Sequence, residues 1–374
     1  MKTISRLGPA FLIMGLLSAL ASTITGPAPA RIKNQIDHLR QALESKPVSD
    51  PQWKEAKPGI AVSLSRADDA LRTGRLYLSL EELTDAWDSF RGTDSATQKT
   101  EGELLQEGRP GVESELRKIQ LELRILEERA AQRNWDGAPV AVRALEEKAQ
   151  SQALNLLEGG RGFADLTDVE KGQLSDNYAS ALYYAGESRS QAEFNDFCYT
   201  LDIPRKTAAF PLRSISPELL QLQTLVTAAY QPPRSVKHHA DFIRLNATLK
   251  LATELDAAKL YAGALYQYLD AIQQFAALDA VAPAPTEQSR LRTSLQEMRR
   301  QLGASQQDES IAQLFLERAE SELTGSPSKN SWIAAGSIVE RVLPAYFAAS
   351  KASLTSGRPL PAGVTVTLVR WPFT

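Results

Sequence analysis

"LRTGRLYLSL", residues 71–80, shares its skeleton with "LYAGALYQYL", residues 260–269. Leu71, Gly74, Leu76, Tyr77 and Leu80 match Leu260, Gly263, Leu265, Tyr266 and Leu269 one for one. In both stretches apolar residues recur at helical spacing on either side of a glycine. The glycine is then either the turn between two antiparallel helices or a small residue inside one continuous helix. Within a helix it costs about 1 kcal/mol relative to alanine, which a close helix crossing has to offset. Both readings make the chain α-helical.

Working outward, helical periodicity runs from Arg31 to about Ala352. Ile32, Ile36, Leu39 and Leu43 form one stripe, and Leu116, Ile119, Leu123 and Leu126 another. Gly159-Gly160 reads as a helix stop, and Thr167–Glu170 (TDVE) as a capping box. Ser216-Pro217 reads as an N-cap and first helical position. The tail alternates differently: Val364, Val366 and Leu368 interleave with Thr365, Thr367 and Val369, the period of a β-strand. Such a strand needs a partner for its backbone groups. Either "PGIAVSLSR" (58–66), which alternates similarly but equally starts a helix, or another protein's sheet edge would serve. The expected fold is all-α, an irregular α-hairpin repeat or helical bundle over residues 31–357, with a short C-terminal β-strand in the extended tail 358–374. Two sub-bundles would divide near 134–165 or at the stiff "APAPT" linker, 282–286.

The longer segments "ALRTGRLYLSLEELTDAW" (70–87), "YASALYYAGESRSQAEF" (178–194) and "KLYAGALYQYLDAIQQF" (259–275) resemble the helix–turn–helix unit of tetratricopeptide repeats. The resemblance implies helical hairpins turning at Gly74, Gly186 and Gly263. The glycine separations, 112 (74 to 186) and 77 (186 to 263), fit no period near 34. Hairpins of this kind would be irregular, not a regular array.

The first thirty residues read as a secretory signal: Lys2 and Arg6, an apolar run over Ala10–Ala21, then small Ala28 and Ala30 for cleavage after Ala30. Ala19-Leu20-Ala21 is an alternative site. The run falls short of the roughly 20 residues a membrane helix needs. Cleavage after Ala30 would leave 40 basic against 45 acidic residues, a charge of −5 that suggests neither nucleic acid nor anionic membrane as partner. Cys198 is the only cysteine, so no intramolecular disulfide can form. Phe194, Phe197 and Leu201 share its helix face, which makes it a buried, inert thiol.

No constellation of residues identifies a reaction. His38 stands alone, and adjacent His238 and His239 point about 100° apart on a helix, so no metal site is expected. "GGRGF" (159–163) lacks the Lys-Ser/Thr ending of a phosphate loop. The acidic pairs Asp68-Asp69, Glu81-Glu82, Glu127-Glu128 and Glu146-Glu147 read as solvated helix faces. Glu309-Ser310 resembles the catalytic dipeptide of exported lytic transglycosylases, but the likeness stops at two residues. The expectation is an exported, periplasmic or extracellular, non-catalytic helical scaffold without cofactor, binding a protein partner of the cell envelope. Val366, Leu368, Arg370, Trp371 and Phe373 are the candidate partner-binding residues. The alternative is a helical enzyme or small-ligand binder, its pocket lined by Tyr183, Tyr184, Tyr261, Tyr266 and Tyr268. An open groove favours the scaffold; a concave pocket with convergent polar groups favours the alternative.

Overall fold

The computed structural model describes residues 28–134, 137–203 and 212–353, and every regular element in them is helical. The first half holds α1 (Ala28–Ser45), α2 (Pro51–Arg72), α3 (Leu76–Ala96), α4 (Glu101–Ala130), α5 (Val140–Asp165) and α6 (Lys171–Tyr199). The second holds α7 (Ser216–Ala229), a single turn α8 (Arg234–Lys237), α9 (His239–Ala257), α10 (Tyr261–Ala277), α11 (Pro285–Ala304) and α12 (Ser310–Glu322). It closes with α13 (Lys329–Ser337), a π turn (Ile338–Val342) and α14 (Leu343–Ser353). The wider turn sits just before Pro344, whose missing N–H and bulky ring disturb an ordinary α ladder. Residues 58–66 belong to α2, so they are no strand; 364–369 lie outside the described residues. No described helix is long and apolar enough to cross a membrane.

Some boundaries follow directly from local chemistry. Asp50 accepts from the N–H groups of Gln52 and Trp53, with Pro51 in the first turn, and so starts α2. Thr100 and Glu103 form a capping box on α4. TDVE does not: α6 starts at Lys171 with no side-chain cap. Nor does Gly159-Gly160 stop α5, which continues to Asp165. Gly160 instead lets α6 approach, since an added Cβ would lie 2.9 Å from the Ala181 carbonyl.

The repeated skeleton is a true hairpin at its first occurrence. Gly74 takes the left-handed conformation (φ 76°), and the Arg75 N–H returns to the Ala70 carbonyl at 2.8 Å. In the α9–α10 hairpin the left-handed residue is Lys259 (φ 63°), with the Leu260 N–H on the Leu255 carbonyl at 2.9 Å. Gly74 therefore corresponds to Lys259, a shift of 185 (74 to 259), whereas the matched letters give 189 (74 to 263). The difference is four residues, about one helical turn. Gly186 and Gly263 are not turns. Gly186 lies mid-α6, where an added Cβ would strike the Arg91 carbonyl and come 2.6 Å from the Ser95 hydroxyl. Gly263 lies in the first turn of α10, where one would come 2.9 Å from the Glu147 Cβ.

At a shift of 185, the buried positions of α2 and α9 coincide: Ile60, Leu64, Ala67 and Ala70 against Leu245, Leu249, Ala252 and Leu255. A shift of 170 relates α5 to α12. Val140, Ala141, Val142, Ala144, Leu145, Glu146, Glu147 and Ala149 are buried, and so are the eight residues 170 positions later, from Ser310 to Ala319. The second half thus repeats the plan of the first. The halves exchange contacts: α12 packs on α3, α5 packs on α10, and α5 and α12 touch each other. The apolar core forms two clusters, and α5 passes from one to the other between Ala149 and Ala153.

Two glycines on one fold should respond oppositely. Gly186→Ala overpacks the α3–α6 crossing and should lower unfolding free energy by about 1–3 kcal/mol in urea titration. Gly59→Ala, on α2 with open space around the new methyl, should raise it by up to about 1 kcal/mol.

Candidate functional site

Among the helices that start without a local side-chain cap are α3 after Arg75, α5 after Pro139 and α10 after Leu260. Each receives one from elsewhere in the chain. The Leu78 N–H donates to the Glu317 carboxylate at 2.9 Å, and the Gly263 N–H to Glu147 at 2.8 Å. The Val140 N–H donates to Asp308 at 2.8 Å, and that of Ala141 to the Ser310 hydroxyl at 2.9 Å. Leu78 and Gly263 are equivalent under the shift of 185, as are Glu147 and Glu317 under that of 170. Residues four positions earlier hold both carboxylates: Gln313 on Glu317 at 3.0 Å, and Arg143 on Glu147 at 2.6 Å. Burial pushes the Glu317 carboxyl up to about 7, against the N–H bonds that pull it down. Burial likewise raises Glu147 despite Arg143.

Between these caps lies a polar knot. Arg318 donates through Nε to Glu81 at 2.6 Å, through Nη1 to Asp270 at 2.9 Å and through Nη2 to the Tyr266 hydroxyl at 2.5 Å. The Tyr266 hydroxyl donates in turn to Glu81, and the Lys148 ammonium sits 5.5 Å from the Tyr266 ring centre. The same shifts make Glu81 the counterpart of Tyr266 and Lys148 that of Arg318. The knot therefore sits where the halves exchange places. Burial would raise Glu81, but the Arg318 guanidinium outweighs it and holds the carboxyl below its usual range. With its main groups bonded to one another, this is an assembly joint. Glu81, Glu146 and Glu147 are thus no solvated face; Glu146 is 1 % exposed and pairs with Arg133.

The second constellation is an open cleft of about 630 Å³ between α2, α3 and α6. Ala56, Gly59, Ala96, Ala179 and Ser180 give it a floor of small side chains, and Glu55 and Asp176 line it without a lysine or arginine. Tyr183 and Tyr184 form its aromatic wall, with ring centres 6.2 Å apart and edge-to-face. Gly92 makes room for the Tyr183 ring, which would lie 2.8 Å from an added Cβ. The Tyr183 hydroxyl bonds to Glu187 and Ser89. One residue before Ser89, Asp88 accepts from the Ser190 hydroxyl and the Gln191 amide. Burial pushes Asp88 up to about 8, and Glu187 and Asp85 add to the rise. Glu187 is also raised by burial, which outweighs its Tyr183 bond.

Of the five tyrosines singled out from sequence, Tyr183 and Tyr184 line the cleft and Tyr266 lies in the knot. Tyr261 is half-buried, and Tyr268 packs against the main core. Val366, Leu368, Arg370, Trp371 and Phe373 lie outside the described residues. His238 faces Asp241 at 3.3 Å, while His239 meets the Tyr230 hydroxyl at 3.0 Å, so the two rings engage different partners. Cys198 is buried with Phe194, and burial pushes its thiol up. Glu309 precedes α12, bonds to Ser305 and Tyr346, and is raised by burial. Sequence reasoning missed Glu55, Asp88, Asp176 and Glu187 because their spacing matches any solvated helix face. No protein-family model, curated protein or solved structure matches the chain.

Glu82 and Glu317 reach about 7 and Asp88 about 8 in the folded protein, against 4.5 and 3.8 as ordinary values. The folded state therefore binds these protons more tightly than the unfolded chain does. The stability gained is complete below the ordinary values and is lost as pH rises through 7 and 8. The urea midpoint should be higher at pH 6 than at pH 8.5, and Asp88→Asn should flatten that dependence.

Proposed function

We propose that this chain is a non-catalytic helical scaffold of the cell envelope that holds a partner polypeptide in the cleft between α2, α3 and α6. The observation carrying this reading is the cleft itself. It is open, floored by alanine, glycine and serine, and lined by the carboxylates Glu55 and Asp176. Small side chains let another backbone approach closely, while the tyrosine wall offers apolar area with a polar tip. Export rests on Lys2, Arg6 and the apolar run Ala10–Ala21. Ala28 is buried at the start of α1, and Arg31 donates to the Thr200 hydroxyl at 2.7 Å. Cleavage after Ala21 would keep that first turn, whereas cleavage after Ala30 would remove Ala28. The tail residues Val366, Leu368, Arg370, Trp371 and Phe373 remain the proposed second contact with the partner.

A small-ligand reading draws on the same cleft, since about 630 Å³ lies within the range of ligand pockets. Affinity capture from envelope extract separates the two. Wild type, Gly59→Trp, which fills the open floor, and a chain lacking residues 359–374 would be used as baits. The scaffold reading expects Gly59→Trp to lose proteins that wild type recovers. Recovery of the same proteins by wild type and Gly59→Trp would contradict it.

A further inference from the structure

We propose that export removes residues 1–21 by hydrolysis of the peptide bond between Ala21 and Ser22, so that the processed chain begins at Ser22 and not at Arg31. This rests on the export reading above and names the processing site. Two places satisfy the small-residue requirement of a signal peptidase, Ala19 with Ala21 and Ala28 with Ala30. The fold decides between them, because only one product contains the whole of α1.

The first turn of α1 is part of the packed body. Ala28 is 3 % exposed and Ile32, one turn on, is fully buried; both join Ile36 and Leu39 in the main apolar core. Pro29 stands in that first turn, where its missing N–H removes no helical bond. In an α-helix each N–H bonds to the carbonyl four residues back. Those of Ile32, Lys33 and Asn34 therefore take the carbonyls of Ala28, Pro29 and Ala30. Arg31 reaches the end of α6. Its guanidinium donates to the carbonyl and the hydroxyl of Thr200, the latter at 2.7 Å, and lies 6.0 Å from the Phe197 ring centre.

Cutting after Ala30 undoes this turn. The N–H groups of Ile32, Lys33 and Asn34 lose their acceptors, the first of them at a buried residue. A new ammonium would also stand on Arg31, close to Lys33 and at the positive end of the helix dipole. Cutting after Ala21 keeps the turn and leaves six residues, 22 to 27, between the new ammonium and α1. It also leaves residues 10–18 as the apolar stretch before the cut, within the roughly 7–15 residues that such signals use. In the step, water adds to the Ala21 carbonyl carbon and the C–N bond breaks. Ala21 keeps the carboxylate, and the Ser22 nitrogen leaves with a proton as the new amino group.

The test is expression of the whole chain in a host that exports it, with N-terminal sequencing and intact mass of the product. The processed chain should begin at Ser22. Ala21→Leu, which puts a bulky side chain at the cut, should accumulate uncut precursor. Ala30→Leu, at an exposed position of α1, should be processed as the wild type is. A product beginning at Arg31, or processing blocked by Ala30→Leu but not by Ala21→Leu, would overturn the inference. Fractionation separates this failure from that of the export reading. An exported chain beginning at Arg31 would end the inference and leave export intact, whereas an uncut chain retained in the cytoplasm would end both.

Discussion

A buried carboxylate that accepts the opening N–H groups of a helix from another part of the chain is the interaction on which this structure depends. Glu317 does this for α3, and Glu147 for α10. Neither helix has a cap of its own, so without these carboxylates its first N–H groups would be buried and unsatisfied. The carboxylates are buried too, which is unfavourable unless the N–H groups are there to receive them. Each side of the contact therefore requires the other. Because α12 caps α3 while α5 caps α10, each half completes the other. Arg318, Tyr266 and Glu81 close the joint between them.

The same arrangement places the cleft. α3 is held at its start by Glu317 and in its second half by the close crossing at Gly186. That leaves Ser89, Thr93 and Ala96 on a rigid face opposite Tyr183 and Tyr184. The acidic residues of α3 divide by position along it. Glu81 is spent on the joint, while Asp88, two turns later, lies behind the cleft wall and meets no cation.

The all-α class was legible because stripes such as Ile32–Leu43 and Leu116–Leu123 carry a local signal, and burial followed it. The hairpin at Gly74 was legible for the same reason. Its later copy was misread by one turn, because letters cannot show that Lys259 adopts the left-handed conformation usually left to glycine. Gly160, Gly186 and Gly263 serve packing between helices distant in sequence, and nothing local distinguishes them from stops or turns. Glu146-Glu147 was the largest miss. Adjacent glutamates on a helix look solvated until a second helix end and Arg133 are brought against them. The cleft was half legible: its tyrosines were visible, but Glu55 and Asp176 look like any solvated helix residue until α2 and α6 are brought together.

Hydrogen exchange read peptide by peptide tests the exchange of caps most directly. In Glu317→Ala the lost side chain belongs to α12, yet protection should fall at the start of α3, around Leu76–Leu80. In Glu147→Ala, a change in α5, it should fall at the start of α10, around Tyr261–Leu265. Loss of protection confined to the helix carrying each substitution would contradict the account.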